Sequence, residues 1–196
     1  MTGLADAASD QQPVQQVLLV RHCETTGQDP EAPLTNAGSS RALQLAERLS
    51  SFPIDYLLCS PYVRALATIE PFAKRAGLCV HVDERLAEHR LSPEPMDHWR
   101  DVVRRSFEEP DFAVPGGESA RETLVRGRAA IESVLDGAHR LPLVVSHGQL
   151  LGLVLHSVDS TFGYAVGRRC GIRMSTSSSE TGTRYLRFIG SRVGSG

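Results

Sequence analysis

Three short apolar runs of the sequence end in polar residues that could carry out chemistry on an anion. The first run leads into Arg21 and His22, the second is followed one turn later by Arg64, and the third leads into His147. If these runs are parallel strands, their carboxyl ends meet at one edge of the sheet, where open α/β sheets bind ligands. The sequence therefore predicts that two histidines and two arginines converge, although they are far apart in the chain.

These residue types suit the transfer of a phosphoryl group. Arginine binds phosphoryl oxygens through two parallel hydrogen bonds and keeps its charge at any working pH. A neutral imidazole is a competent nucleophile, and neighbouring cations favour the neutral form. A helix beginning at Gly148 would also direct backbone N–H groups at the same anion. Because phosphoryl transfer depends mainly on positioning and charge stabilisation, this set of groups is sufficient for it.

A leaving oxygen also needs a proton, and residues 83–88 (DERLAE) offer carboxylates. Glu88 is the best placed of them, since it follows a short predicted strand. As a general acid it would have to carry a proton, which partial burial against Trp99 or Phe107 would favour.

The elements that must position these residues alternate between strands and helices. Strands are predicted at residues 17–20, 56–59, 79–82, 141–145, 171–174 and 184–189, with a turn at 175–183 between the last two. Helices are predicted after Thr35, after Ser60, after Gly117 and at residues 150–155. This order predicts an α/β fold, a three-layer α/β/α sandwich with a mostly parallel central sheet.

The length and composition indicate one domain. With 196 residues, 41% of them hydrophobic, the chain can bury one sizeable core. Residues 1–16 are small and polar and lack the layout of a signal peptide, so we expect a flexible N-terminal tail. Residues 17–196 then form the single domain, and the proline-rich and charged residues 89–117 form a lid-like excursion from it.

The charge balance and the cysteines exclude several classes of protein. A net charge of −2, from 21 basic and 23 acidic residues, gives no electrostatic footprint for nucleic acid or a membrane surface. The four cysteines are scattered and fit no metal-site spacing. We therefore expect no metal, no cofactor, no nucleic-acid partner and no membrane partner, and a reducing, cytoplasmic location.

Four segments, in this order, resemble the motifs of the histidine phosphatase (phosphoglycerate-mutase-like) superfamily. They are residues 18–25 (LLVRHCET), 60–65 (SPYVRA), 115–119 (PGGES) and 144–148 (VVSHG). The resemblance covers the chain from residue 17 to residue 189 and implies a phosphoglycerate-mutase-like fold.

The resemblance also implies roles for individual residues. By it, His22 is the nucleophile, and Arg21, Arg64 and His147 bind the phosphate and complete the catalytic set. Glu88 falls where the family places its proton donor.

Two further positions, Gln28 and Cys23, follow from the same resemblance, and Gly148 follows from the helix that it begins. Gln28 lies where the family often has a polar phosphate contact, and Gly148 is expected to contact the phosphate from the start of its helix. Cys23 stands where the family usually has glycine. Its thiol would ionise and oxidise readily if it were accessible beside the cationic site, and would be inert if it pointed into the core.

The resemblance implies a metal-independent phosphomonoesterase of the histidine acid phosphatase type. It would act through a phosphohistidine on His22, with Glu88 as proton donor and a small phosphomonoester as substrate. One alternative is a phosphoglycerate mutase, but such mutases carry a longer loop with Asn and Trp where residues 26–33 are short and contain neither. The other is an inactive module that binds a phosphorylated ligand, against which the intact histidines and arginines argue. A homodimer is compatible with the sequence.

Overall fold

The computed structural model describes residues 16–158 and the backbone of two later strands. In chain order, its elements are β1 (Gln16–Arg21), α1 (Asn36–Leu49), β2 (Tyr56–Cys59), α2 (Val63–Ala76), β3 (Val80–Val82), a 3₁₀ turn (Glu84–Leu86), α3 (Trp99–Glu108), α4 (Ala120–Leu135), β4 (Pro142–Ser146), α5 (Gly148–Val158), β5 (Ile172–Ser178) and β6 (Arg184–Phe188). No helix in this described part is long and apolar enough to cross a membrane.

The strands form one mixed sheet in the order β3-β2-β4-β1-β5-β6. The first four strands are parallel, and β5 and β6 continue the sheet in antiparallel orientation. Strands β1 and β4 are neighbours, with Arg21 opposite Ser146 at their carboxyl ends. The predicted mostly parallel sheet is confirmed.

Alternate residues of each central strand pack into two separate cores. In β1, Leu18 and Val20 join the core formed with α1 and α2, whereas Val17 and Leu19 join the core formed with α4 and α5. Because the strand is buried on both faces, its sequence is a continuous apolar run rather than an alternating one. Helices thus cover both faces of the sheet, which confirms the predicted α/β/α sandwich.

Side-chain caps determine where two of the helices begin. The Thr35 hydroxyl accepts a hydrogen bond of 2.9 Å from the N–H of Gly38 at the start of α1. Ser119 and Glu122 form a reciprocal capping box at the start of α4. Helix α2 begins at Val63, slightly later than predicted, with Tyr62 as its N-cap residue.

Two predicted boundaries were wrong. Gln16, predicted to end the tail, belongs to β1 and pairs with Ser175 of β5; residues 1–15 lie outside the described part. The predicted turn began at residue 175, but β5 continues to Ser178, where it pairs with Arg184. The serine- and threonine-rich composition suggested a turn, yet threonine also favours strands, and pairing with β6 decides the outcome.

The excursion of residues 89–117 contains α3 and closes on itself at its base. Val102 and Val103 of α3 are buried, whereas Trp99 remains 38% exposed. The two ends meet where a Cβ atom on Gly117 would lie 2.2 Å from the carbonyl oxygen of Leu91, so only glycine fits there. The N–H of Glu118 donates to the carbonyl of Arg90 at 2.7 Å, which joins the two ends.

Candidate active site

The predicted site residues meet at the carboxyl ends of the parallel strands. The N–H of His22 donates to the carbonyl of Ser146 at 3.0 Å, which aligns the ends of β1 and β4. The ring centroids of His22 and His147 lie 5.1 Å apart. The structure therefore brings the two histidines into contact across the sheet edge.

The buried His22 ring has a defined hydrogen-bond pattern. Its Nδ1 lies 2.7 Å from the carbonyl oxygen of Cys23, which can only accept a hydrogen bond, so Nδ1 carries the hydrogen and Nε2 has the lone pair. Burial lowers the pKa of His22 to about 4; the carbonyl acts in the opposite direction, and the charges of Arg64 and Arg21 lower the pKa further. His22 is therefore neutral near pH 7.

His147 is fully buried and also neutral. Its pKa lies well below the ordinary value, first because of burial and then because a second positive charge is disfavoured beside His22 when that ring is protonated and beside Arg64 and Arg21. Its Nε2 lies 2.6 Å from the hydroxyl oxygen of Ser60. Its Nδ1 has no hydrogen-bond partner among the residues the structure describes.

Arg64 connects the site to the loop that follows β1. Its Nη1 donates to the carbonyls of Gln28 at 3.2 Å and Asp29 at 2.7 Å, and its guanidinium carbon lies 4.7 Å from the centre of the Tyr62 ring. Its buried Nε has no hydrogen-bond partner in the described part of the chain. Arg64 thus holds the loop with one nitrogen and leaves a charged N–H for an anion.

Arg21, at the end of β1, lies on the same side of the site. It is half-buried, and its charge lowers the pKa of His22 and of His147. Both rings are therefore within reach of its electrostatic field.

The Glu88 carboxylate caps the N-terminus of α5. Its oxygens accept hydrogen bonds from the N–H groups of His89 at 2.9 Å, Leu150 at 3.1 Å and Gln149 at 3.3 Å. The sequence predicted that the N–H groups of this helix would face the anion, but those of Gln149 and Leu150 bind Glu88 instead. A carboxylate is the side chain that a helix N-terminus favours.

Glu88 also lies near the cationic side of the site. Its charge acts on both Arg64 and Tyr62, opposing the fall in the pKa of Arg64 that burial causes and adding to the rise in the pKa of Tyr62 that burial causes. The carboxylate thus binds the start of α5 and lies within electrostatic reach of Arg64.

Gln28 and Gly148 contribute less directly than the other predicted residues. Gln28 is exposed, and its backbone carbonyl, not its side chain, binds Arg64. Gly148 is the first residue of α5. Their contacts with a phosphate remain predictions.

Cys23 is buried, with 3% of its surface exposed. Its N–H donates at 2.8 Å to the hydroxyl of Thr68, which in turn donates at 2.7 Å to the carbonyl of Arg64. Solvent therefore has little access to this thiol, which favours the inert interpretation over a redox role.

Sequence reasoning assigned no role to Ser60, Tyr62 or Thr68. The first two lie inside the SPYVRA segment, and Tyr62 contacts the His147 ring edge-on at 4.8 Å between centroids. Thr68 lies one helical turn after Arg64, so the helical spacing of the two residues could have indicated that Thr68 lies close to the site. In the described part of the chain, no group of three or more His, Cys, Asp or Glu side chains is arranged to hold a metal ion.

Comparison with known proteins identifies the family of this chain. The model of the histidine phosphatase superfamily (branch 1) matches residues 17–180. A probable phosphoglycerate mutase, GpmB of Cronobacter sakazakii, is 33% identical over 175 residues, covering 78% of this chain and 79% of the relative. GpmB of Proteus mirabilis is 35% identical over 170 residues, with the same coverage.

Solved structures share the fold. A mycobacterial glucosyl-3-phosphoglycerate phosphatase superposes with a TM-score of 0.74 at 20% identity, covering 92% of this chain and all of the other. The α-ribazole phosphatase of Shigella flexneri superposes with a TM-score of 0.66 at 23% identity, covering 90% of this chain and 96% of the other.

Proposed function

Because the chain belongs to the histidine phosphatase superfamily, we propose that it hydrolyses small phosphomonoesters through a phosphohistidine on His22, with Glu88 as proton donor. The observation that carries this proposal is the hydrogen bond from His22 Nδ1 to the carbonyl of Cys23 at 2.7 Å. It fixes the imidazole with its Nε2 lone pair unprotonated, which is the state that a nucleophile requires.

In the first half of the reaction, the phosphoryl group lies beside Arg21, Arg64 and His147. Nε2 of His22 attacks phosphorus, the bond to the leaving oxygen breaks, and Glu88 gives its proton to that oxygen. The arginines stabilise the charge spread over the phosphoryl oxygens.

In the second half, water attacks the phosphohistidine and the P–N bond breaks. The Glu88 carboxylate takes the proton of the attacking water, inorganic phosphate leaves, and His22 returns to its neutral form. Every step uses side chains of this chain, so the proposal includes independence from a metal ion.

A second candidate function is supported by the relatives, which are named probable phosphoglycerate mutases. We prefer hydrolysis because the loop of residues 26–33 is short. The N–H of Thr26 donates to the carbonyl of Pro33 at 3.0 Å and closes the loop at its base. A mutase would return the phosphoryl group to its product instead of transferring it to water.

The proposal is tested with purified protein and a panel of phosphomonoesters that includes 3-phosphoglycerate. We expect release of inorganic phosphate that EDTA leaves unchanged and that vanadate inhibits, since vanadate mimics pentacoordinate phosphorus. His22→Asn should abolish this release, whereas the control His81→Gln, at an exposed histidine of β3, should retain it. Isomerisation of 3-phosphoglycerate without phosphate release would favour the mutase, and binding without either reaction would favour an inactive module.

A further inference from the structure

The side chain of Arg126 in α4 uses all five of its hydrogen-bond donors, three of them on residues 85–88, the segment that carries Glu88. An arginine has five N–H donors. Nη1 donates to the carbonyls of Arg85 at 2.8 Å and Ala87 at 2.6 Å, and Nη2 donates to the carbonyl of Glu88 at 3.2 Å. The remaining donors, on Nε and Nη2, bind the Glu118 carboxylate at 2.6 and 2.8 Å.

Glu118 ties the same segment to the base of the excursion. Its carbonyl accepts a hydrogen bond of 2.8 Å from Nε2 of His89, and its N–H donates to the carbonyl of Arg90. Burial acts to raise the pKa of Glu118, but the hydrogen bond and charge of Arg126, helped by smaller contacts, hold it below the ordinary value. Glu118 is therefore a charged partner of Arg126.

Glu88 is consequently held at two points by two different helices. Its carboxylate binds the first turn of α5, and its carbonyl binds Arg126 of α4. The two helices are in close contact one residue further along α4, where a Cβ atom on Gly127 would lie 2.8 Å from Leu150. A shift of the backbone at Glu88 relative to α5 would move its carboxyl group relative to the phosphoryl site.

We propose that the Glu118–Arg126 pair positions Glu88 for proton transfer to the leaving oxygen. This inference rests on the proposed function, in which Glu88 is the proton donor. Arg126 and Glu118 act through Glu88 and are positioning residues. A displacement of about 1 Å at a reacting group can cost about a hundredfold in rate, so such a pair can matter without touching the substrate.

The chain offers a matched control on the same helix. Arg128 also binds a carboxylate, that of Glu132, but the two side chains are 41% and 45% exposed and neither contacts residues 85–88 through a hydrogen bond that the structure describes. Arg126→Met and Arg128→Met therefore remove the same charge and one ion pair each, and only the first releases the Glu88 segment.

The measured quantity is the ratio of kcat/KM for an alkyl phosphate, glycerol 1-phosphate, to kcat/KM for an aryl phosphate, 4-nitrophenyl phosphate, because kcat/KM reports the transfer to His22 and not the later step in which Glu88 acts as a base. An alkyl leaving group depends on protonation and an aryl leaving group depends on it much less. We expect Arg126→Met to lower this ratio about tenfold or more, and Arg128→Met to leave it unchanged. Because both rates come from one preparation, the ratio does not depend on the folded fraction.

Glu88→Gln separates this inference from the proposed function. In the Glu88→Gln background, Arg126→Met should lower the ratio no further, since the donor it positions is absent. If Glu88→Gln lowers both rates equally, the proposed role of Glu88 fails, and the inference fails with it. If Glu88→Gln lowers the ratio but Arg126→Met does not, the inference alone is overturned.

Glu118→Gln gives a second, milder variant should Arg126→Met not fold. It keeps the shape of the side chain but removes the charge and one of the two acceptors for Arg126. We expect a smaller fall in the same ratio. Arg126→Lys should lower the ratio about as much as Arg126→Met, because lysine has too few donors to replace the guanidinium group. A Glu118→Gln variant with the ratio of the wild type would contradict the proposal.

Discussion

The hydroxyl oxygen of Ser60 lies 2.6 Å from Nε2 of His147, at the point where β2 and β4 end side by side. The same hydroxyl accepts a hydrogen bond of 3.3 Å from the N–H of Tyr62. The bond to Ser60 therefore fixes the orientation of the His147 ring against the first residues of the SPYVRA segment.

Ser60→Ala should slow the reaction, because the His147 ring loses the hydrogen bond that orients it. The loss of one buried hydrogen bond to a site residue is expected to lower kcat/KM about tenfold. The control is Ser157→Ala, because the Ser157 hydroxyl donates to the carbonyl of Val154 within α5, away from the predicted site residues. Steady-state kinetics on an aryl phosphate measure kcat/KM for both variants. Wild-type kinetics in Ser60→Ala would contradict the orienting role of Ser60.

Thr68→Val should destabilise the chain. The variant keeps the shape of the side chain but leaves the buried N–H of Cys23 without its acceptor, at a cost of about 1–3 kcal/mol. Thr68→Ser keeps the hydroxyl and should lose less unfolding free energy than Thr68→Val. Urea denaturation measures the difference in unfolding free energy, and equal losses in the two variants would show that the hydroxyl is not the source.

Gly38→Ala should also destabilise the chain, because α1 lies directly against the loop after β1. A Cβ atom on Gly38 would lie 2.0 Å from the carbonyl oxygen of Glu24, so the backbone of one element must move. We expect a loss of about 1–3 kcal/mol in unfolding free energy. The exposed neighbour Ser39→Ala should be close to neutral, and a neutral Gly38→Ala would contradict the observed close approach.

The sequence predicted the parts of this site that depend on side-chain type and strand position. Arg21, His22 and His147 follow apolar runs, and burial on both faces of a parallel sheet makes such runs continuous. The role of Arg126 could not be predicted, since it binds backbone carbonyls whose placement depends on the folded path of residues 85–88. The same holds for the Glu88 cap, because nothing in its type indicates which helix N-terminus it meets.

The low pKa of His22, about 4, predicts a pH dependence of stability. As the pH falls below about 6.5, the unfolded chain takes up a proton on His22 before the folded chain does, so stability falls until the pH reaches about 4. The difference corresponds to about 3 kcal/mol. Between pH 7 and pH 4, the unfolding free energy of the wild type, measured by urea denaturation, should fall by about 3 kcal/mol more than that of His22→Asn. If the unfolding free energies of the two proteins change with pH in parallel, a neutral, buried His22 is contradicted.

The proposed mechanism requires that the phosphoryl group becomes covalently bound to His22, and this intermediate can be trapped. A substrate labelled with radioactive phosphate is mixed with enzyme and quenched in base within one turnover, since a P–N bond survives base and hydrolyses in acid. We expect label on the peptide that contains His22, lost on acid treatment and absent from His22→Asn. Hydrolysis at the normal rate with no labelled enzyme, or with label on another residue, would contradict the proposed mechanism.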